Sequence, residues 1–251
     1  MTNIMKADIK RLSQGYGVYI TFAILIIFAG MHVFGAAEAF NTDYLNSGFT
    51  APLYFMNLNQ NVIFKMIAIV HLLSVVDFST NTVKNTLISG SSRVTYYISK
   101  LITALLFLVF MYIVQIVTGT LMVTLSNGFG GTFSLEWIGS FAVGFLSQLF
   151  MLVAVSSIFT MLAFIARGSH ATLLMISVIL VPLTVVQLIA GINEYIGNML
   201  LNFEIITMTM RLTRIDYLET YEIMRTLSIG LGFIIFSIFA SVTSFKRAEI
   251  K

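Results

Sequence analysis

The sequence contains no cysteine, only two prolines and few charged residues. Without thiols the chain can form no disulfide, zinc ribbon, iron–sulfur cluster or cysteine nucleophile. Charged residues make up 10% of the 251 residues and hydrophobic residues 58%, whereas an average soluble domain has about 25% charged residues. So few charges do not cover a water-soluble sphere of this size. The composition therefore excludes a soluble enzyme and a disordered chain, and it predicts an all-α integral membrane protein.

Six apolar segments approach the roughly 20 residues that a helix needs to cross a bilayer. They are 16–35, 62–78, 101–125, 138–165, 173–192 and 226–244. The second is the least apolar, because it contains Lys65, His71 and Asp77. With it included, ten of the 14 basic residues fall on the same side as both termini: Lys6, Lys10, Arg11, Lys84, Arg93, Lys100, Arg167, Lys246, Arg247 and Lys251. The positive-inside rule then predicts six spans with cytoplasmic termini in one transmembrane domain, 1–251.

The N-terminal residues 2–13 show an amphipathic helical pattern. Ile4, Met5, Ile9 and Leu12 share one arc, which Asp8 interrupts, and Asn3, Lys6 and Lys10 share the other. This pattern predicts an interfacial helix on the cytoplasmic leaflet, with its cations facing anionic lipid. The alternative is a frayed tail whose cations only fix the topology.

Motifs for catalysis, metal binding and ATP binding are missing from the sequence. It has no H-E-x-x-H pair, no G-x-x-x-x-G-K-[ST] loop and no Ser/His/Asp set at one depth. We therefore expect no enzyme activity and no metal site in this chain, and any ATP to be bound by another polypeptide. The formal net charge of +3 does not indicate a nucleic-acid partner. Four polar residues within the spans are candidates to line a passage or to hydrogen-bond between helices: His71, Gln115, Gln148 and Gln187.

The cytoplasmic loop 77–100 has a pattern unlike a simple connection. Val83 and Leu87 are one helical turn apart with Ile88 beside them, and Gly90 is a natural helix end. Ser91 and Ser92 then offer caps for a helix that begins at Arg93. The pattern predicts a short helix over 83–89, of a shape that fits a groove on a soluble partner. The alternative is an ordinary loop whose Lys84, Arg93 and Lys100 only fix the topology.

This loop resembles the first cytoplasmic loop of the ABC-2 type permeases, the membrane subunits of ATP-binding cassette exporters. The matching positions are Asp77, Phe78, Thr82, Val83, Lys84, Leu87, Gly90, Ser92, Arg93, Tyr97 and Lys100. The chain departs from the family pattern at Asp77, where Glu is usual, and at Asn81, where Gly is usual. In size it is most similar to small bacterial permeases for amphipathic or antimicrobial peptides, including lantibiotic immunity permeases and the staphylococcal phenol-soluble modulin exporter permease.

The resemblance implies a homodimer or heterodimer of permeases in the bacterial cytoplasmic membrane, associated with two nucleotide-binding ATPase subunits. Those subunits would bind ATP and Mg, and this chain would bind no cofactor. The residues that it implies for coupling to the ATPase subunit are Asp77, Val83, Lys84, Leu87, Ile88, Arg93 and Lys100. The implied substrate is an amphipathic or antimicrobial peptide, whose export gives resistance to it. The alternatives are a permease for another hydrophobic drug or an ion such as sodium, and a non-transporting scaffold or sensor.

The segment 193–225 is too long for a simple connection and too apolar to lie free in water. Its apolar residues fall at helical spacings: Ile196, Met199, Leu200, Phe203 and Met210. This predicts an extracellular amphipathic helix, or a hairpin that enters the outer leaflet. The family resemblance implies a lid at the exit.

Overall fold

The computed structural model describes residues 1–35, 45–56, 60–201, 207–209, 212 and 220–247, and these residues form helices without a strand. In chain order the helices are α1 (Thr2–Gln14), α2 (Tyr16–Gly35), α3 (Ala51–Phe55), α4 (60–79), α5 (Thr82–Ile88), α6 (Arg93–Asn127), α7 (Leu135–Ala166), α8 (His170–Ile192), α9 (Glu194–Leu201) and α10 (Thr220–Lys246). The prediction of an all-α protein is confirmed for this part of the chain.

Five of these helices are long and apolar enough to cross a membrane. They are Val62–Ser79 within α4, together with α6, α7, α8 and α10. Each contains a predicted span, which supports the assignment to the membrane proteins. Helix α2 coincides with the first predicted span, and its 20 residues correspond to about 30 Å. A sixth crossing and the cytoplasmic position of the termini stay predictions.

The least apolar span, α4, lies in the centre of the bundle. Within its most apolar stretch 61% of the residues are buried, against 18% in α8 and 22% in α10. A helix that is surrounded by protein need not be as apolar as one that faces lipid, because its polar groups find partners on neighbouring helices. This position explains the low hydropathy of the second span.

Helix α4 changes its hydrogen-bonding pattern midway. An α-helical part, Gln60–Val70, is followed by a π-helical turn, His71–Val75, and a final α-helical turn, Val76–Ser79. A π-helical turn is rare and is found frequently at functional sites. Here it directly precedes the segment that leads into α5.

Backbone conformations at the two ends of α5 match the sequence pattern. Asn81 before the helix has a left-handed φ of 58°, and Gly90 after it has a φ of 95°. Both positions favour glycine, and asparagine is the side chain that best tolerates the left-handed region. Ser92 caps α6 by accepting a hydrogen bond on Oγ from the backbone N–H of Thr95 (3.1 Å). The predicted short helix and the helix start at Arg93 are therefore confirmed.

At the end of the bundle opposite α5, residues 45–56 pack against α6 and the segment that follows it. The N–H groups of Gly48 and Phe49 donate to the carbonyls of Gly128 and Phe129 (both 2.9 Å). The short helix α3 lies against α6 where Gly119 has no side chain, which leaves room for the ring of Phe55.

The predicted extracellular segment 193–225 is described only in part. Helix α9 covers its first turns and includes Ile196, Met199 and Leu200. Phe203 and Met210 lie outside the described residues. Met208, Thr209 and Leu212 are buried, and the Thr209 carbonyl accepts a hydrogen bond from Gln148 Nε2 (2.7 Å). Part of this segment therefore packs into the bundle against α7.

Candidate functional site

Helix α5 is attached to the bundle on one side and exposed on the other. Val83 is 1% exposed and anchors the helix, whereas Ile88 is 75% exposed. A shallow groove of about 440 Å³ runs beside the exposed side, lined by Lys84, Leu87, Ile88, Ser91, Ser92 and Arg93. An exposed isoleucine next to a cation and an open groove gives this helix both apolar and charged groups for a docking partner.

A cluster of four charged side chains lies beneath α5; we call Asp8, Arg11, Asp77 and Lys100 the ionic cluster. Lys100 Nζ lies 2.6 Å from Asp8 Oδ1 and 2.5 Å from Asp77 Oδ2. Arg11 forms an ion pair with Asp77. The Tyr96 hydroxyl donates to Asp77 Oδ2 (2.5 Å). The cluster thus joins α1, α4 and α6 immediately around the loop that carries α5.

The ionic cluster contains two acids and two bases, so its formal charges cancel. Asp77 is fully buried, Lys100 is 2% exposed and Asp8 is 5% exposed. Buried charges persist only when they are paired, and removing one partner costs about 3–5 kcal/mol. Burial raises the pKa of Asp8 above its usual value, and the ammonium of Lys100 opposes that rise. Arg11 also donates to the carbonyls of Leu72 and Leu73 in the π-helical turn (3.2 and 3.3 Å), which ties α1 to α4.

Two arginines bind the C-terminal end of α10. Arg93, five residues after α5, donates to the carbonyls of Phe245 and Lys246 (both 2.8 Å). Arg167, which has a left-handed φ of 51°, donates to the Ser244 carbonyl (3.0 Å). Cations at a helix C-terminus satisfy unpaired carbonyls and oppose the helix dipole. The start of α6 and the end of α7 are therefore linked to the end of α10 through three consecutive carbonyls.

Aromatic rings fill the space between the two arginines and the ionic cluster. Phe245 packs edge-on against Phe164 (5.0 Å between ring centroids) and Phe78 (6.2 Å). The Arg93 guanidinium lies 5.9 Å from the Phe245 ring centroid, and Lys100 Nζ lies 5.2 Å from that of Tyr96. The rings come from α4, α6, α7 and α10, so these four helices are packed against one another at this end of the bundle.

Among the residues expected to couple to an ATPase subunit, the structure separates exposed from buried ones. Lys84 and Ile88 are exposed and face outward. Asp77 and Lys100 are buried inside the molecule, and Arg93 binds carbonyls of its own chain. Direct contact of Asp77 or Lys100 with a soluble partner is incompatible with this burial. Their position instead supports α5 from within.

Three of the four candidate passage residues are hydrogen-bonded to other parts of the chain. Gln115 donates to the Phe55 carbonyl (3.2 Å) and accepts a hydrogen bond from Lys65 (2.8 Å). His71 Nδ1 is hydrogen-bonded to Thr172 Oγ1 (2.6 Å), and Gln148 binds the segment at Thr209. Gln187 is exposed on α8. For the first three, the hydrogen-bonding alternative agrees with the structure.

The sequence pattern did not identify Asp8 and Arg11 as partners of the loop. The amphipathic interpretation placed Ile9 on the apolar arc, yet Ile9 is 41% exposed, and the buried face is centred on Asp8. An acid on the apolar arc was the one available signal, since a charged residue among buried ones requires a partner.

No protein-family model matches this chain, and no curated protein matches it.

Proposed function

We propose that this chain is the membrane-spanning permease subunit of an ATP-binding cassette exporter of the ABC-2 type. It has six spans and both termini in the cytoplasm of a bacterial cell, and α5 is its coupling helix. The observation that carries the proposal is the geometry of α5, a short helix between two spans that is anchored by Val83 and exposes Ile88 and Lys84 beside a groove. A short exposed helix with apolar and cationic groups is suited to a cleft on a soluble subunit.

The contacts around α5 account for how ATP hydrolysis on a partner would reach the spans. A closing ATPase subunit displaces α5, and the flanking residues Asp77 and Arg93 transmit the displacement. Asp77 acts on α1 and α6 through the ionic cluster. Arg93 acts on the end of α10. Because packed elements have discrete rather than continuous arrangements, a small shift at α5 moves several spans together.

The proposed substrate is an amphipathic or antimicrobial peptide, and a second permease copy completes the translocation path. Such peptides enter the bilayer spontaneously, so a transporter that collects them needs apolar surface open to the membrane. Helices α8 and α10 provide such surface, since they are the least buried of the five apolar helices. A laterally open apolar face also accepts a second copy of the chain, which makes both roles compatible.

Co-purification tests the proposed partner. The tagged protein is extracted from its native cells in mild detergent, and the proteins that accompany it are identified by mass spectrometry. We expect a stoichiometric P-loop ATPase that is lost in Ile88→Glu. The matched control is Leu125→Glu, because Leu125 is 87% exposed at the opposite end of α6. A preparation without any ATPase in several detergents would contradict the proposal and favour a channel or scaffold.

Charge reversal tests the coupling role of the loop. We expect Lys84→Glu and Arg93→Glu to abolish transport while the protein stays in the membrane, because the first reverses the exposed charge on α5 and the second breaks the contact with α10. Peptide accumulation in cells is the readout, and immunoblotting of membranes controls for abundance. Wild-type transport in both variants would contradict the coupling role of the loop.

Substrate class is tested by the ATPase rate of the purified complex. Amphipathic peptide, a hydrophobic drug and sodium are added separately to the complex in lipid. We expect peptide to stimulate hydrolysis. Stimulation by sodium or by the drug alone would assign one of the alternative permease functions, and a rate that responds to none of them would favour the scaffold.

A further inference from the structure

We propose that α1 binds acidic phospholipid headgroups through Lys6 and Lys10, and that the ionic cluster makes the position of α5 depend on that binding. The lipid contact is argued from the geometry of α1 and the start of α2. Its effect on ATP hydrolysis rests on the proposed function.

Helix α1 has one face against the bundle. Asp8 and Leu12 are buried, and Ile4 and Arg11 are partly buried. Positions 4, 8, 11 and 12 fall on one side of an α-helix. This face carries both members of the ionic cluster that α1 contributes, so the helix is held by charge as well as by apolar packing.

The opposite face carries two cations. Lys6 and Lys10 are exposed, and they form no ion pair within the described part of the chain. They lie one helical turn apart and point away from Asp8. Between this cationic face and the buried face lie the partly buried Met5 and the exposed Ile9 (41% exposed). Apolar side chains beside cations are the arrangement of a helix that lies in the headgroup region.

Tyrosines at the start of α2 place α1 at the level of the membrane surface. Tyr16 is 85% exposed and Tyr19 is 60% exposed. Exposed tyrosines at the end of an apolar helix are typical of the membrane interface. The Tyr19 hydroxyl donates to the Ser13 carbonyl (2.7 Å), which joins the end of α1 to the start of α2. Lys6 and Lys10 thus lie where lipid phosphates are found.

The two faces of α1 are coupled by its rigidity. A lipid that holds Lys6 and Lys10 holds Asp8 and Arg11, which contact Lys100 and Asp77 on either side of α5. Each basic residue near an anionic surface strengthens membrane binding roughly fivefold, so two lysines give about 25-fold. A leaflet without acidic lipid loses that contribution and leaves α1 held by its buried face alone, through the ionic cluster and the packing of Ile4 and Leu12.

Spin labelling tests the lipid contact. The 251-residue chain has no cysteine, so Ile9→Cys introduces a single labelling site in it. In nanodiscs we expect the label to collide more with oxygen and less with a water-soluble nickel complex when phosphatidylglycerol is added to phosphatidylcholine. The added Lys6→Gln and Lys10→Gln substitutions should remove that difference. A label at Ile88→Cys, on the exposed side of α5, is the aqueous reference. If position 9 is as open to nickel as position 88 in both lipids, the lipid contact is refuted.

The ATPase rate tests the link to α5. We expect the rate of the wild-type complex to change several-fold between the two lipids, and the Lys6→Gln/Lys10→Gln variant to lose this dependence. The control is Lys246→Gln/Arg247→Gln, which removes two exposed cations at the same end of the bundle. Equal loss in the control would overturn the role of α1. A lipid-dependent label together with a lipid-independent ATPase rate would overturn the link. If no ATPase subunit assembles, the proposed function fails, and the spin-label result still decides the lipid contact.

Discussion

The ionic cluster makes a quantitative prediction for Lys100→Met. The ammonium of Lys100 contacts carboxylates of Asp8 (2.6 Å) and Asp77 (2.5 Å) and is 2% exposed. Methionine keeps an unbranched side chain of similar length, so the packing of the aliphatic part is retained. The substitution leaves two buried carboxylates opposite one cation. We expect it to destabilise the protein by about 3–5 kcal/mol.

Thermal unfolding in detergent measures this cost. Fluorescence of Trp137, the single tryptophan, reports the transition. For a chain of this size each kcal/mol lowers Tm by about 2–4 °C, so Lys100→Met should lower it by roughly 10 °C. Lys84→Met removes an exposed cation near the same end of the bundle and should change stability by less than about 0.5 kcal/mol.

A double variant separates charge imbalance from lost packing. In Asp8→Asn/Lys100→Met, one acid and one base are removed together, and Arg11 remains paired with Asp77. We expect the double variant to be more stable than the sum of the two single changes by about 0.5–3 kcal/mol, the range for residues in contact. The reasoning is refuted if Lys100→Met is no less stable than Lys84→Met, or if the two single effects simply add.

Three further predictions concern Gly119, Asp8 and Arg93. Gly119→Ala would place its Cβ 2.4 Å from the Phe55 ring and should destabilise the protein by about 1–3 kcal/mol. Gly232→Ala meets open space in a helix and should stabilise the protein by about 1 kcal/mol. Shifts in Tm of opposite sign for the two variants test this. Burial raises the pKa of Asp8 above 3.8, so the folded protein binds this proton more tightly than the unfolded chain does. The contribution of Asp8 to the free energy of unfolding therefore falls as the pH rises from 3.8 through the raised pKa. Asp8→Asn should flatten the slope of the free energy of unfolding against pH in this range. Arg93→Gln loses two 2.8 Å hydrogen bonds and should speed amide exchange at the end of α10 roughly tenfold; unchanged exchange would contradict the contact.

Local sequence signals predicted the helices around α5 well. The spacing of Val83 and Leu87, the glycine at 90 and the cap at Ser92 each act within a few residues, and the structure has the helix ends there. The long apolar runs likewise predicted the five helices long enough to span a membrane, because about 20 consecutive apolar residues have few other stable placements.

Long-range pairing was not predictable in the same way. Asp8 and Lys100 are 92 residues apart, and no local periodicity connects them. The amphipathic pattern assigned the buried face of α1 by hydrophobicity, whereas an ion pair decided it. The low hydropathy of α4 has a similar origin, since Lys65 and His71 bind partners on α6 and α8 and not lipid. In a membrane protein, a single sequence does not show which distant residue pairs with a buried charged residue.

Photo-cross-linking from position 88 tests whether α5 contacts an ATPase subunit. A photoreactive amino acid replaces Ile88, which is 75% exposed on α5, and in a second variant it replaces Leu106, which is 52% exposed midway along α6. After irradiation of cells, the adducts are purified and identified by mass spectrometry. The proposal predicts an adduct with a P-loop ATPase from position 88 and none from position 106. Efficient cross-linking at position 88 that yields no ATPase adduct would contradict the assignment of α5 as a coupling helix.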